Sequence, residues 1–552
     1  MKGNYTPLLL ALMAAIFFLP FLGGVHLFDW DEINFAEISR EMMMTGEYTQ
    51  VTVNFIPFWE KPPLFFWTQA LSMKLFGVGE YAARFPNAVC GMVTLVLLYD
   101  IGKKIRCHRF GILWAICYFG SVLPFLYFKS GIIDPVFNLF VFLGLYFFIL
   151  GCWKRDPIMD IPLKRSHWTY FLTAGVFVGL GMLAKGQVAY LIPVLVIGVY
   201  WIWGRLRMFV SIPQFIVFTL VAILIMLSWY GAETLKNGPA FVVEFTKYQY
   251  SLFSAPSAGH SGFPGYHFVV ILVGCFPASV FFVRSLYHTP TDEKAHQRDF
   301  ARWMKILFWV VLILFTVVRS KIVHYSSLCY FPLTFLAAHV VEQILQGKIS
   351  FAGWLKWGMW GIGSVYILAC LLIPFAGMHP EWLTPLFDDA FAHENLKATV
   401  RWTGLEVLPG IWLLAVIALS IRQFNRQQQW PAFYTLFVGV GIFVFAALIA
   451  YVGRIEAYSQ RAAIEFYESR KGEDCYVDTW RFRSYAQFFY SDKALPSNAS
   501  HSDKKWLLTG DIDKTVYMVV RIPKDTAFQH EFPHFAEVYR KNGFVFYRRH
   551  PG

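Results

Sequence analysis

Thirteen apolar runs punctuate this chain, near residues 7–28, 85–101, 110–128, 134–151, 168–184, 188–203, 210–230, 267–283, 306–318, 325–343, 354–376, 404–421 and 431–453. A spanning helix needs about 20 mostly apolar residues. Inside hydrocarbon its backbone polar groups must be satisfied within the helix itself. The pattern therefore predicts an α-helical polytopic membrane protein. Composition agrees: 57% of the 552 residues are hydrophobic, 15% are charged, and the mean hydropathy is +0.46. An ordinary soluble domain carries about 25% charge, so a soluble enzyme, a disordered chain and a disulfide scaffold are excluded. The run at 306–318 is short, and the pairs 168–203 and 306–343 are closely spaced. The run at 7–28 is long for a cleaved signal peptide, and Asp29-Trp30-Asp31-Glu32 after it is not a small-residue cleavage site. It is expected to stay as a signal-anchor helix.

A formal net charge of +12 raises the question of nucleic acid. The cations instead gather in short gaps between runs, as the positive-inside rule requires of cytoplasmic loops. Lys103, Lys104, Arg106 and Arg109 share one gap; Lys154, Arg155, Lys164 and Arg165 another; Arg205 and Arg207 a third; Arg284, Lys294, Arg298, Arg302 and Lys305 a fourth; Arg422 and Arg426 a fifth. They alternate correctly for a cytoplasmic N-terminus. Segments 29–84 and 231–266 are then outer loops of a membrane domain spanning 1–453, and an odd number of spans puts 454–552 outside too. That tail is rich in charge. Cys475–Asp478 and Val516–Val520 read as strands, and 461–471 and 483–491 as helices, so a small α/β domain is expected. Eight cysteines without a CxxC indicate neither a zinc site nor a disulfide framework.

Charge at membrane depth is costly and needs a reason. On the outer side Asp31 and Glu32 follow the first run. Asp31 reads either as a functional carboxylate or as the N-cap of an amphipathic helix over Ile33–Thr45 lying in the interface plane. Glu60 and Lys61 precede Pro62-Pro63, which stiffen the chain; a lysine there also snorkels. Asp134-Pro135 suits either a cavity carboxylate or a helix start. Lys185, between two runs with almost no loop, calls for an anionic partner. Arg319 and Lys321 break the positive-inside pattern and argue for a bound anion near Tyr325. His260 sits in a Gly- and Pro-containing outer loop. Six distant segments thus supply charge to one side. Cations there suit a lipid-phosphate leaving group, and a carboxylate suits an acceptor hydroxyl. A transporter would show internal repeats and charges nearer the midplane.

In this order the residues resemble a family. The segments are Asp31-Glu32 with Phe35-Ala36-Glu37-Ile38-Ser39-Arg40-Glu41-Met42, then Gly46-Glu47-Tyr48, Glu60-Lys61-Pro62-Pro63-Leu64 with Trp67, and Leu75-Phe76-Gly77. Ala83-Arg84-Phe85-Pro86, Asp134-Pro135, Leu183-Ala184-Lys185-Gly186 and Lys321 with Tyr325 complete the set. The chain resembles the bacterial GT-C lipid-linked-sugar glycosyltransferases, of the aminoarabinose transferase and, more distantly, protein O-mannosyltransferase type. The resemblance implies transfer of a sugar from a polyprenyl-phosphate carrier to a lipid, glycan or protein acceptor at the outer face of a bacterial inner membrane. It implies catalytic roles for Asp31, Glu32 and Asp134. Lys61, Lys185, Lys321 and Arg319 would hold the donor phosphate, and Glu60, His260 and Tyr325 would line the cavity. Glu60 and His260 are also the candidates for a divalent cation, should the loops bring them together. The chain departs from the family at Asn34-Phe35, at Ile322-Val323 and at Ser261-Gly262, which leaves the acceptor open. The runner-up reading is a transporter of polyprenyl-linked sugar or lipid.

Overall fold

The computed structural model describes residues 5–254, 262–287 and 293–552. Each of the thirteen apolar runs is helical, but not every run is one straight span. The first is short: α1 (Thr6–Phe18) ends before Pro20 and is followed by irregular chain to Trp30. The first outer segment then folds as α2 (Asp31–Thr45), a small hairpin of β1 (Thr52–Val53) and β2 (Ile56–Pro57), and α3 (Leu64–Phe76). The bundle continues with α4 (Glu80–Ile105), α5 (His108–Phe119), α6 (Val122–Tyr127), α7 (Asp134–Trp153), α8 (His167–Lys185), α9 (Val188–Trp203) and α10 (Ile212–Asn237). The second outer segment carries α11 (Ala240–Ser254). After it come α12 (Tyr266–Gly274), α13 (Ala278–Tyr287), α14 (Ala295–Val317), α15 (Tyr330–Leu345) and α16 (Gly353–Met378). A short α17 (Ala390–Leu396) precedes α18 (Leu408–Asn425) and α19 (Gln429–Ala447).

Among the described residues nine helical stretches are long and apolar enough to cross a membrane. A tenth, α12 with α13, is bent by 115° at its break. Pro277 lies at that break and lacks the N–H that would continue the ladder. The short run at 306–318 is the apolar half of the 23-residue α14. Its polar start is tolerated because Asp299 is buried and accepts from Trp153 Nε1 (2.7 Å), Trp303 Nε1 (3.1 Å) and Tyr200 Oη (2.6 Å). Between α8 and α9 Gly186 has φ of +87°, and a Cβ there would lie 2.4 Å from the Phe245 ring. Only glycine makes so tight a turn with α11 packed against it.

Past the bundle come α20 (Gly453–Ala457), α21 (Arg461–Glu468), β3 (Cys475–Trp480), α22 (Ala486–Tyr490), α23 (Lys504–Thr509), β4 (Thr515–Arg521), α24 (Asp525–Glu531), β5 (Ala536–Lys541) and β6 (Phe544–Arg549). The sheet order is β3-β4-β6-β5, with β3 and β4 parallel and the other pairs antiparallel. Alternate residues of a strand face opposite ways. Val516, Met518 and Val520 pack with Phe528 and Phe532, while Tyr517 and Val519 join the large core with Phe466 and Phe489. Strands β3, β4 and most of β6 are thus buried on both faces, while the edge strand β5 is exposed along its length.

Two expectations for α2 are corrected. Asp31 is the first helical residue and makes no side-chain capping bond. Nor does the helix lie in the interface with a wet polar side: Glu37, Arg40 and Glu41 are at most 1% exposed. Arg40 binds Glu37 through two nitrogens, each at 2.8 Å, and reaches Asp492 (3.0 Å) and the Lys493 carbonyl (3.0 Å) of the tail. Lys493 Nζ in turn donates to Asn54 Oδ1 at 2.7 Å. The polar face of α2 is the surface on which the tail docks.

Candidate functional site

The site lies at the end of the bundle that carries α2. The N-terminus of α7, the C-termini of α8 and α14, and the turn before α15 meet there. Because antiparallel neighbours alternate direction, residues distant in sequence converge. Asp31, Lys61, Asp134, Lys185, Tyr248, His324 and Tyr325 line one cavity of about 100 Å³, floored by Phe35, Phe137 and Phe315.

Lys185 ends α8 and its Nζ is 2.6 Å from Asp134 Oδ1. This is the anionic partner that its sequence context demands. The same ammonium lies 5.3 Å from the centroid of Tyr325 and 5.5 Å from that of Phe137. Lys61 Nζ is 3.4 Å from Tyr248 Oη and 5.0 Å from that ring's centroid. Burial works against its charge, but the Tyr248 hydroxyl, Glu60 and Asp31 outweigh that and hold the ammonium above the ordinary lysine value. Burial likewise pushes the Tyr248 hydroxyl up, with Lys61 pulling the other way. Asp31 Oδ2 faces His324 Nε2 at 3.5 Å, and Asp134 Oδ2 faces the same nitrogen at 3.9 Å. Two carboxylates and two ammoniums therefore surround one imidazole.

Four of the residues singled out from sequence stand elsewhere. Glu32 turns away from its neighbour Asp31. Its carboxylate accepts from Arg84 Nε (3.0 Å) and Nη2 (2.8 Å), Phe28 N (3.0 Å) and Gly131 N (2.5 Å). Burial would raise its pKa, yet Arg84 and the two backbone N–H groups hold it below the usual carboxylate range. With every oxygen engaged, Glu32 is a buried brace joining α2, α4 and the segment before α7, on the wall of a second cavity of about 720 Å³. Lys321 also departs from the expected phosphate role. Its Nζ donates to the carbonyls of Phe315 (3.1 Å), Thr316 (2.5 Å) and Val318 (2.6 Å), closing the C-terminus of α14, where unpaired carbonyls favour a cation. Arg319 is exposed and off the cavity wall. Glu60 accepts from Arg483 Nη2 of the tail at 3.3 Å and is likewise off the wall. His260 lies outside the described residues. Among the described residues no group of three His, Cys, Asp or Glu side chains stands close enough to hold a metal ion.

His324 and Tyr248 are the site residues that sequence reasoning missed. His324 stands beside the tyrosine that was singled out, but a histidine next to an aromatic residue carries no signal of its own. A third feature adjoins the site. A mostly apolar groove of about 950 Å³ runs along α14, walled by α9 and α15. Leu314 and Val317 line the groove, while Phe315 and Val318, the next residue in each case, line the small cavity. The C-terminal turns of α14 thus border both spaces, with consecutive residues facing one and the other.

Known proteins resemble this chain in sequence and in fold. Residues 60–229 match the family described as dolichyl-phosphate-mannose-protein mannosyltransferase. The chain is 25% identical over 447 residues to the undecaprenyl phosphate-alpha-4-amino-4-deoxy-L-arabinose arabinosyl transferase of Edwardsiella ictaluri, covering 80% of this chain and 76% of that protein. Against the proteins so named from Aeromonas salmonicida and Pseudomonas aeruginosa the identities are 27% and 26%, over 65% and 61% of their lengths. Its fold superposes on ArnT from Cupriavidus metallidurans bound to undecaprenyl phosphate with a TM-score of 0.77, at 18% identity, over 98% of this chain and 97% of that one. In its matched segment, in the order of its charged residues and in its fold, this multi-pass membrane protein is similar to the GT-C lipid-linked-sugar glycosyltransferases of the aminoarabinose transferase type.

Proposed function

We propose that the chain is an integral-membrane glycosyltransferase that moves a sugar from a polyprenyl-phosphate carrier to an acceptor at the periplasmic face of the inner membrane. The observation that carries this reading is the convergence of Lys61 and Lys185 on one small cavity with Asp31 and Asp134. The apolar groove along α14, whose C-terminal turns also line the small cavity, suits a long isoprenoid tail. Relatives named for an undecaprenyl-phosphate-linked sugar support the donor class. In the transfer, negative charge grows on the carrier phosphate as its bond to the sugar breaks. Ammonium groups already fixed in place stabilise that charge without reorganising. An acceptor entering opposite the leaving phosphate inverts the anomeric carbon. Arg106, Lys154, Arg155, Arg205 and Arg207 lie in connectors at the other end of the bundle. By the positive-inside rule that end is cytoplasmic, the N-terminus with it, and the site and α/β tail are periplasmic.

The test is transfer by the purified chain in detergent, with its host's membrane lipids as donor and acceptor and mass spectrometry on both. A sugar-sized gain on an acceptor, matched by loss from the polyprenyl-phosphate lipid and absent with Asp31→Asn, is the expected result. Flipping of polyprenyl-phosphate lipid in liposomes with no transfer would make the chain a transporter instead.

A further inference from the structure

His324 is the one titratable group at the centre of the cavity with no role in the account above. It lies in the turn Val323–Cys329, where Ser327 Oγ donates to its carbonyl at 2.5 Å. Its side chain is 17% exposed. The charged and titratable groups around it come from every element packed there: Asp31 on α2, Lys61 before α3, Asp134 on α7, Lys185 on α8, Tyr248 on α11, His267 on α12 and the adjoining Tyr325. The two aspartates and two lysines cancel in charge, and the imidazole is left as the group free to change state.

The distances say what it can do. Nε2 is 3.5 Å from Asp31 and 3.9 Å from Asp134, beyond an ordinary N–H···O bond of 2.7–3.2 Å. Nε2 thus has no close carboxylate partner and faces the cavity that His324 lines. A proton arriving there makes an imidazolium with a carboxylate on either side of Nε2, from Asp31 and Asp134. Neither aspartate is as well placed to take that proton. Asp134 is engaged at 2.6 Å by Lys185, and Asp31, 36% exposed, is held beside the ring. An acceptor that is already a phosphate enters ionised and requires no base. An acceptor hydroxyl must give up a proton as it attacks.

Resting on the glycosyltransferase reading, we propose that His324 is the general base of this site and that the acceptor offers a hydroxyl rather than a phosphate. The bond from the sugar's anomeric carbon to the carrier phosphate breaks, and its electron pair stays on the phosphate oxygen beside Lys61 and Lys185. A bond forms from the acceptor oxygen to that carbon. The hydroxyl proton passes to His324 Nε2, stabilised by Asp31 and Asp134, and then to solvent. The acceptor is thus a carbohydrate or side-chain alcohol.

The experiment compares the purified full-length wild type with His324→Gln and His324→Asn, using extracted host lipids, and follows transfer from pH 5 to 9. Undecaprenyl phosphate binding is measured beside it as a check on fold and donor site. The expected loss in kcat is roughly 10²–10⁴-fold, the range for removing a general base, with undecaprenyl phosphate still bound. The wild-type rate should rise with pH through one ionisation, since the base works only when neutral, and that limb should vanish in both variants. The product should be a glycoside that survives mild acid hydrolysis of sugar phosphates. An unchanged pH profile in an active variant, or a sugar released from phosphate by mild acid, would overturn the proposal. Loss of undecaprenyl phosphate binding in both variants would also overturn it, by making His324 part of the donor site. Absence of any transfer by the wild type would bring down the glycosyltransferase reading itself.

Discussion

The two ends of the helical bundle each bury a cluster of charge, and they are built differently. At the end opposite the site, Arg106 lies 2.5 Å from Glu293 and 2.8 Å from Glu342, and His339 lies 2.7 Å from Glu293. Burial works to raise the pKa of Glu293, but His339 and Arg106 more than reverse this and hold it down at about 2. This knot pairs opposite charges at contact distance, on the wall of the apolar groove that Glu293 and His339 also line. Around the small cavity, among the described residues, the ion pair in close contact is Lys185 with Asp134. Lys61 rests on a tyrosine, and His324 stands 3.5 and 3.9 Å from its carboxylates. The lesson is that burial of charge does not by itself mark a functional centre. Buried ions that are fully paired hold helices together, and those held apart around a space are arranged for something that enters it.

That contrast can be broken by experiment. The largest effect on the fold should come from Arg106→Met, which leaves Glu293 and Glu342 buried with one cation fewer. A loss of about 3–5 kcal/mol is expected in detergent unfolding, with kcat of the surviving folded protein nearly unchanged. Lys61→Met should do the reverse. Transfer should drop roughly 10²–10³-fold, as when one preorganised charge-stabilising group is removed, while the melting temperature barely moves. If both variants lose stability and activity together, the two clusters are not distinct.

A smaller effect concerns the seam between α2 and the tail. Burial, and then the nearby Glu37 carboxylate, raise the pKa of Glu41 from 4.5 to about 8. A carboxyl whose folded pKa is raised contributes stability that is full below its unfolded pKa and lost as pH rises through the folded one. Lys493 is pushed down by burial to about 8, so its opposite contribution changes only above that pH. Between pH 5 and 8 the wild type should therefore lose roughly 3–4 kcal/mol that Glu41→Gln keeps, seen as a flatter dependence of melting temperature on pH. The smallest effect should come from Lys321→Met. Uncapping α14 should cost about 1–2 kcal/mol and leave the KM for the donor lipid intact. A large rise in that KM would return Lys321 to the donor site.

Much of the fold was legible because hydrocarbon imposes one solution on the backbone. The α14 span was under-read because its buried Asp299 and His296 look like loop residues until Trp153, Trp303, Tyr200 and the Ile105 carbonyl are seen around them. In the site, Asp31, Lys61, Asp134, Lys185 and Tyr325 were found because charge at membrane depth must have a cause, and the resemblance fixed their order. Glu32 misled because adjacent residues on a helix point about 100° apart. Asp31 faces the cavity and Glu32 faces Arg84.

The sequence by itself determined the membrane-spanning architecture, the sided distribution of cations and the small sheet of the tail. These follow from local chemistry: apolar length, charge in connectors, and alternation along strands. Only the tertiary structure decided that Glu37, Arg40 and Glu41 are sealed beneath the tail, that Lys321 caps a helix, and that His324 stands between two carboxylates from α2 and α7. Each of those outcomes depends on which distant groups meet, and on whether a cation finds carbonyls, a carboxylate or an open cavity within reach. For the tail seam and for His324 no window of the chain contains that information, because Asp492, Asp31 and Asp134 lie far away in sequence; the carbonyls that Lys321 caps are close in sequence, and there the ending of α14 decides which groups are open to it.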